Sequence, residues 1–297
     1  MVEDIGKIIS NGFETYSKNL NLGIPFVLNF FISQILSFIF FSVGFSYILG
    51  PEFSSLDNTA SPEQIFSIIF PLLKSHIFEL VFLMLLFILI SLFLSSFFVA
   101  GAIGMAKQAT ENGKSEISTM VESGKKNVAS LFLANILVGL LFLAGLAFLV
   151  PGAIVRPSSG GIGPILLLGG FLLWVIYVII LTIVLAVFSY AIVIDNLEPV
   201  DGILAGFNFF NKHKSDVFLL WLIILIILIV VILGLILLGV KISLSFMEIA
   251  IIFVSIFVIS PLSTVLWTRL YMTRTGKKIY FNELLAHPND LEKLKSD

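Results

Sequence analysis

The chain has 297 residues, 58% of them apolar and only 12% charged, with a formal net charge of −2 and a mean hydropathy of +1.10. A water-soluble domain carries roughly 25% charge, so this sequence has too few polar groups to cover its own surface and reads as an integral membrane protein of the all-α class. With no cysteine, disulfide scaffolds and thiolate metal sites are excluded.

The chain opens on a short amphipathic stretch in which Ile5, Ile8, Ile9, Phe13 and Tyr16 recur at helical spacing, followed by Lys18 and Asn19. Glu3, Asp4 and Glu14 precede any apolar run, and there is no small-residue cleavage site, so no leader is expected to be removed. A hydrocarbon core about 30 Å thick needs roughly 20 apolar helical residues, and the first such run lies near 22–49. Within it Asn29 and Ser33 stand four apart, with Gln34 and Ser37 close by. This polar stripe suits hydrogen bonding to a neighbouring helix, or a cavity for a headgroup or small solute.

Residues 50–75 read as turn and coil, from Gly50-Pro51 and the polar run Ser54, Ser55, Asp57 and Asn58. The second apolar run lies near 77–106. His76 and Glu79 at its start could share a helix face and hold a metal, but two ligands do not make a site, and interfacial anchoring is the expectation. Gly101 and Gly104 in this run allow close helix packing.

A second amphipathic stretch carries Ile117, Met120, Val121 and Val128, with Lys125, Lys126 and Asn127 among them, and leads into a run near 128–150. The fourth run, near 164–194, is closed by Asp195. That residue suits either a cap and turn before the next helix or a cation or partner site at the mouth of the bundle. In the third amphipathic stretch Ile203, Leu204, Phe207 and Phe210 precede Lys212, His213 and Lys214; Pro199 suits its first position and Asp201 its first turn. The fifth run, near 217–240, has 21 Leu, Ile, Val or Phe among its 24 residues. The sixth, near 247–272, contains Pro261, a candidate kink. Glu79, Lys241, Glu248 and Arg269 fall near span ends and are expected to reach the interface by snorkelling.

Lys and Arg concentrate on the cytoplasmic side of short loops. Fourteen of the seventeen basic residues flank one end of the six runs, leaving only Lys74, Arg156 and Lys241 for the other. The expected placement is therefore a multi-pass cell-membrane protein, a single membrane domain over 1–297, with both termini cytoplasmic. Setting Gly12, Gly124 and Gly206 in register aligns Ile9, Val121 and Ile203, and then Tyr16, Val128 and Phe210. This predicts three units, each a surface helix plus a two-span hairpin.

The stretch 188–208, FSYAIVIDNLEPVDGILAGFN, with the following Lys212-His213-Lys214, resembles the membrane domain found with some glycerophosphodiester phosphodiesterases and related uncharacterised six-span prokaryotic proteins. A weaker echo lies in 5–19. The resemblance implies a six-helix membrane domain and little about chemistry, since the phosphodiesterase barrel that would carry catalysis has no counterpart in this chain.

The three histidines are far apart in sequence, and no HExxH, GxSxG, phosphate-loop or dinucleotide motif occurs. The expectation is a non-enzymatic membrane protein without cofactor, metal or nucleic acid. It would interact with lipids, including anionic headgroups, or serve a membrane-protein partner as an accessory at the cytoplasmic face, with Asp195, Phe207, Phe210, Lys212 and Lys214 at the inner rim. The alternative is a transporter or flippase for a lipid-like or small polar molecule, using the stripe and the Pro261 kink.

Overall fold

The computed structural model describes residues 3–53, 67, 70–71, 73–155, 162–239 and 244–280. Every regular element among them is helical. α1 (Ile5–Lys18) starts at Asp4, whose side chain accepts the Lys7 backbone N–H at 2.7 Å, satisfying a donor that no helical carbonyl can reach. A 3-10 turn, Leu20–Gly23, leads into α2 (Ile24–Phe53). α3 (Ile77–Asn112) ends on Gly113, whose φ of 77° lets the chain turn out of the helix. α4 (Ile117–Ala144) continues through a 3-10 turn into the short α5 (Val150–Ile154).

The second half begins with α6 (Ile162–Val184) and α7 (Phe188–Asp195), which ends on Asn196 at a φ of 56°. The surface helix α8 (Pro199–Lys212) follows, with Pro199 opening it, Asp201 in its first turn and Lys212 in its last. α9 (Lys214–Gly239), α10 (Leu244–Val254), a π-helical turn (Ser255–Ile259) and α11 (Ser260–Arg274) complete the described chain.

Among the described residues six helical segments are long and apolar enough to cross a membrane: Leu20–Gly44, Ile77–Asn112, Ile117–Ile154, Ile162–Asp195, Lys214–Leu237 and Met247–Arg274. All six expected spans are present, and three differences are informative. α2 runs through Gly50-Pro51 to Phe53 instead of turning there; a proline near a helix end forfeits a single hydrogen bond. Ser54, Ser55, Asp57 and Asn58 lie outside the described residues, as do Arg156 and Lys241. α3 has 36 residues, about 54 Å at 1.5 Å per residue, so its last turns stand clear of a hydrocarbon layer about 30 Å thick. The second amphipathic stretch is no separate helix but the first turns of α4. Asn19 and His213 close α1 and α8; the equivalent position in α4 is Leu131, a strong helix former that is fully buried, and the helix runs on.

The core sits at the end of the bundle where most of the basic residues gather. There α3, α7 and α11 contact one another and bury Ala100, Ile103, Ile192, Leu266 and Leu270. Around them α1 packs on α11, the first turns of α4 on α3, and α8 on α7. Each of these contacts is made at a glycine: Gly12 against Leu266, Gly124 against the Phe97 ring, and Gly206 against Phe188, whose backbone would lie 2.8 Å from any Cβ at that position. Toward the opposite end the helices turn large apolar side chains outward, among them Phe38, Phe78, Leu168 and Leu237. Such a surface belongs in hydrocarbon rather than water.

Candidate functional site

The basic end is welded by charge. Arg269, within the last span, does not snorkel. It is 2% exposed, as is Glu3, and the two make a bidentate pair, Nε to Oε2 at 2.8 Å and Nη2 to Oε1 at 2.6 Å. Asn11 Nδ2 donates to the same carboxylate at 2.7 Å, and Arg274 Nη1 donates to the Glu3 carbonyl at 2.7 Å. Arg269 Nη1 also donates to Thr15 Oγ1 at 3.4 Å; a guanidinium deprived of water needs such acceptors, because its desolvation costs several kcal/mol. α1 folds back onto α11 to supply them, and that long-range partner is what a reading of span ends misses.

Asp195 does not cap α8; Glu198 occupies that position. The Asp195 side chain instead reaches the last helix, accepting from the Tyr271 hydroxyl at 2.6 Å and pairing with Lys277 at 2.5 Å. Arg274 Nε donates to Asp216 Oδ2 at 2.6 Å. Beside it burial pushes the His213 imidazole below its ordinary range, against the pull of Asp216 and with help from Arg274 and Lys212.

Pro261 opens α11, and its missing N–H removes the α-helical donor to the Phe257 carbonyl. The preceding π-helical turn absorbs the mismatch. The Tyr16 hydroxyl of α1 donates to that Phe257 carbonyl, so the kink expected from sequence is a docking point for the first helix.

α8 has two faces. Gly202, Gly206 and Phe209 are buried, with Phe210 partly buried against the same core. Val200, Leu204 and Phe207 are 56%, 53% and 46% exposed on the outer side, and Lys212 and Lys214 follow at the helix end. Phe207 and Phe210, read from sequence as one rim contact, therefore face different ways.

The polar stripe on α2 is dispersed. Ser37 Oγ donates to the Ser33 carbonyl at 2.8 Å within the helix, and Gln34 is exposed. Asn29 Oδ1 is buried without a hydrogen-bond partner. The cavity beside α2, about 110 Å³, is lined by Val27, Phe30, Phe31, Ile249, Ile252, Phe253, Ile256 and Phe257 and by none of the four stripe residues. His76 Nδ1 and Glu79 Oε1 lie 3.8 Å apart and are both exposed.

A polar cleft of about 250 Å³ lies at the basic end between α3, the first turns of α4 and the end of α7. Lys107 and Glu111 line it from α3, Glu122 and Lys126 from α4. Sequence reading did not single it out, because each residue on its own looks like an ordinary solvated helix position. The available signal was two charged pairs at i,i+4 on consecutive helices joined by a tight turn.

Helices and site together define a six-span, membrane-type helical protein. The chain belongs to the family described as a domain of unknown function, DUF7847, whose model matches residues 65–275. That stretch takes in α3 to α11 and leaves α1 and α2 outside the match. No curated protein and no solved structure matches the chain. The likeness to phosphodiesterase-associated membrane domains is supported only as far as the shared plan of six apolar helices.

Proposed function

We propose that this protein is a non-enzymatic membrane protein that engages lipid at its cytoplasmic face, directly or as an accessory to a membrane partner. The observation that carries the reading is α8, which buries its glycine face on α7 and leaves Val200, Leu204 and Phe207 outward above Lys212 and Lys214. A helix with that division sits at the boundary of headgroup and acyl chain, where each lysine gains about 1 kcal/mol from anionic lipid. The basic bias of fourteen residues against three supports a cytoplasmic location for this end and for both termini.

The proposal includes a threefold internal repeat. In its support, α1, α4 and α8 each begin seven residues before the aligned glycines Gly12, Gly124 and Gly206, after an acidic residue in each case, Asp4, Glu116 and Glu198. α1 and α8 are both 14 residues long. Each packs on the last helix of the preceding unit, and α1 closes the ring on α11. A transport role for a lipid-like or small polar molecule is the second reading, favoured by the unpartnered Asn29 oxygen on α2.

The test uses full-length protein in detergent, with native mass spectrometry of retained lipid. Replacing Leu204 and Phe207 by Ser should lower retained anionic phospholipid at least tenfold, about 1.4 kcal/mol, the loss of two half-exposed apolar side chains that lipid would otherwise cover, while helix content stays unchanged. Retention of anionic phospholipid that the variant leaves unchanged would overturn the reading.

A further inference from the structure

We infer that the cleft between α3, α4 and the end of α7 binds a lipid headgroup bearing both a phosphate and a primary ammonium, the phosphoethanolamine class; this rests on the lipid-engaging reading above. At the basic end Glu3 pairs with Arg269, Asp195 with Lys277, Asp216 with Arg274, and Glu14 with Lys18. The charges that line the cleft form no such pair. Lys107, Glu111, Glu122 and Lys126 enter no ion pair among the described residues, although Lys107 and Glu111, and again Glu122 and Lys126, stand one helical turn apart, where such pairs ordinarily close. Lys107 Nζ donates instead to the Ile194 carbonyl at the end of α7, 3.1 Å away. Two cations and two carboxylates thus face one small volume without neutralising each other.

A neutral donor is also left over. Gln108 Oε1 accepts from the Glu116 backbone N–H at 2.8 Å and from the Thr119 hydroxyl at 2.9 Å. With its oxygen committed twice, both amide hydrogens are left for an oxygen in the cleft. Lys107, Lys126 and this amide suit a phosphate, and Glu111 and Glu122 suit an ammonium that can donate hydrogen bonds. Purely anionic headgroups meet the two carboxylates as like charges, and a choline offers no N–H to them.

Size and place agree with a headgroup. The cleft, about 250 Å³, falls below the roughly 300–1,000 Å³ of pockets that enclose a drug-sized molecule, which suits the polar end of a lipid whose chains stay in the bilayer. The other two junctions at this end are filled. Asp195, Tyr271 and Lys277 close the one between α7 and α11. Asn19, bonded to the Gly113 carbonyl and to the Ser115 N–H, closes the one between α1 and the end of α3.

Full-length protein in nanodiscs, titrated with phosphatidylethanolamine, phosphatidylcholine and phosphatidylglycerol, tests the assignment. Phosphatidylethanolamine should bind about tenfold more tightly than either of the others, the effect of a charge-assisted hydrogen bond. That preference should fall to parity in E111Q/E122Q, whose side chains make no ion pair that the fold depends on. Displacement by free glycerophosphoethanolamine would show that the headgroup alone is read, and retention of the preference against it would show that the lipid anchor contributes; either supports the site if E111Q/E122Q abolishes it. Lipid retained without headgroup preference, or with a preference the variant leaves intact, would overturn this site alone. A wild-type protein that retains no lipid would overturn the broader reading as well.

Discussion

Arg269 and Glu3 are separated by 266 positions and joined by two short hydrogen bonds in a site nearly closed to solvent. Removing one partner leaves the other charged, buried and unmatched, which costs about 3–5 kcal/mol, whereas removing both forfeits much less. Arg269→Met should therefore lower the thermal unfolding midpoint in detergent sharply, and the added Glu3→Gln should recover much of the loss. A double variant as unstable as the single one would show that the pair is not what holds α1 to α11. The sequence put Arg269 near a span end, where a long side chain ordinarily reaches water. Nothing in its neighbours pointed to a carboxylate at the far end of the chain. The partners of Asp195 are hidden from the sequence for the same reason: a turn follows it, but Tyr271 and Lys277 are brought to it only by the fold.

The surface helices were more legible, because amphipathic spacing is local. Ile5, Ile8, Ile9 and Tyr16 in α1, like Ile203 and Phe210 in α8, do pack inward. What spacing could not settle was which stretch separates from its span, a matter decided by Asn19 and His213 against Leu131. The aligned glycines acquire a physical reason as points of close helix approach. Gly206→Val would drive a side chain into the Phe188 backbone and should cost about 1–3 kcal/mol by overpacking. Gly234→Ala meets nothing within 4 Å and should be neutral or stabilising by up to about 1 kcal/mol, since alanine restricts the unfolded chain. Equal effects on the unfolding midpoint would contradict the assigned packing of α8.

Across the whole molecule, the number and order of the spans were plain from composition, since apolar runs of this length have few alternatives in a lipid environment. The cleft was not plain, because it exists only where three helices from different parts of the chain converge. The orientation can be measured simply, since the chain has no cysteine. Asn112→Cys at the basic end and Lys74→Cys at the other are both exposed positions. A membrane-impermeant maleimide applied to intact cells should label Lys74→Cys and spare Asn112→Cys until the membrane is opened. The reverse pattern would invert the topology and place α8 on the outer surface. The seam between α1 and α11 also sets an order of events during biosynthesis. At roughly 5–20 residues per second, Glu3 is made about 13 to 53 seconds before Arg269, and Tyr16 likewise precedes the carbonyl it will bond. For that interval Glu3 and the Tyr16 hydroxyl lack the partners they will bind, so the first helix can be sealed to α11 only after the last span has been made.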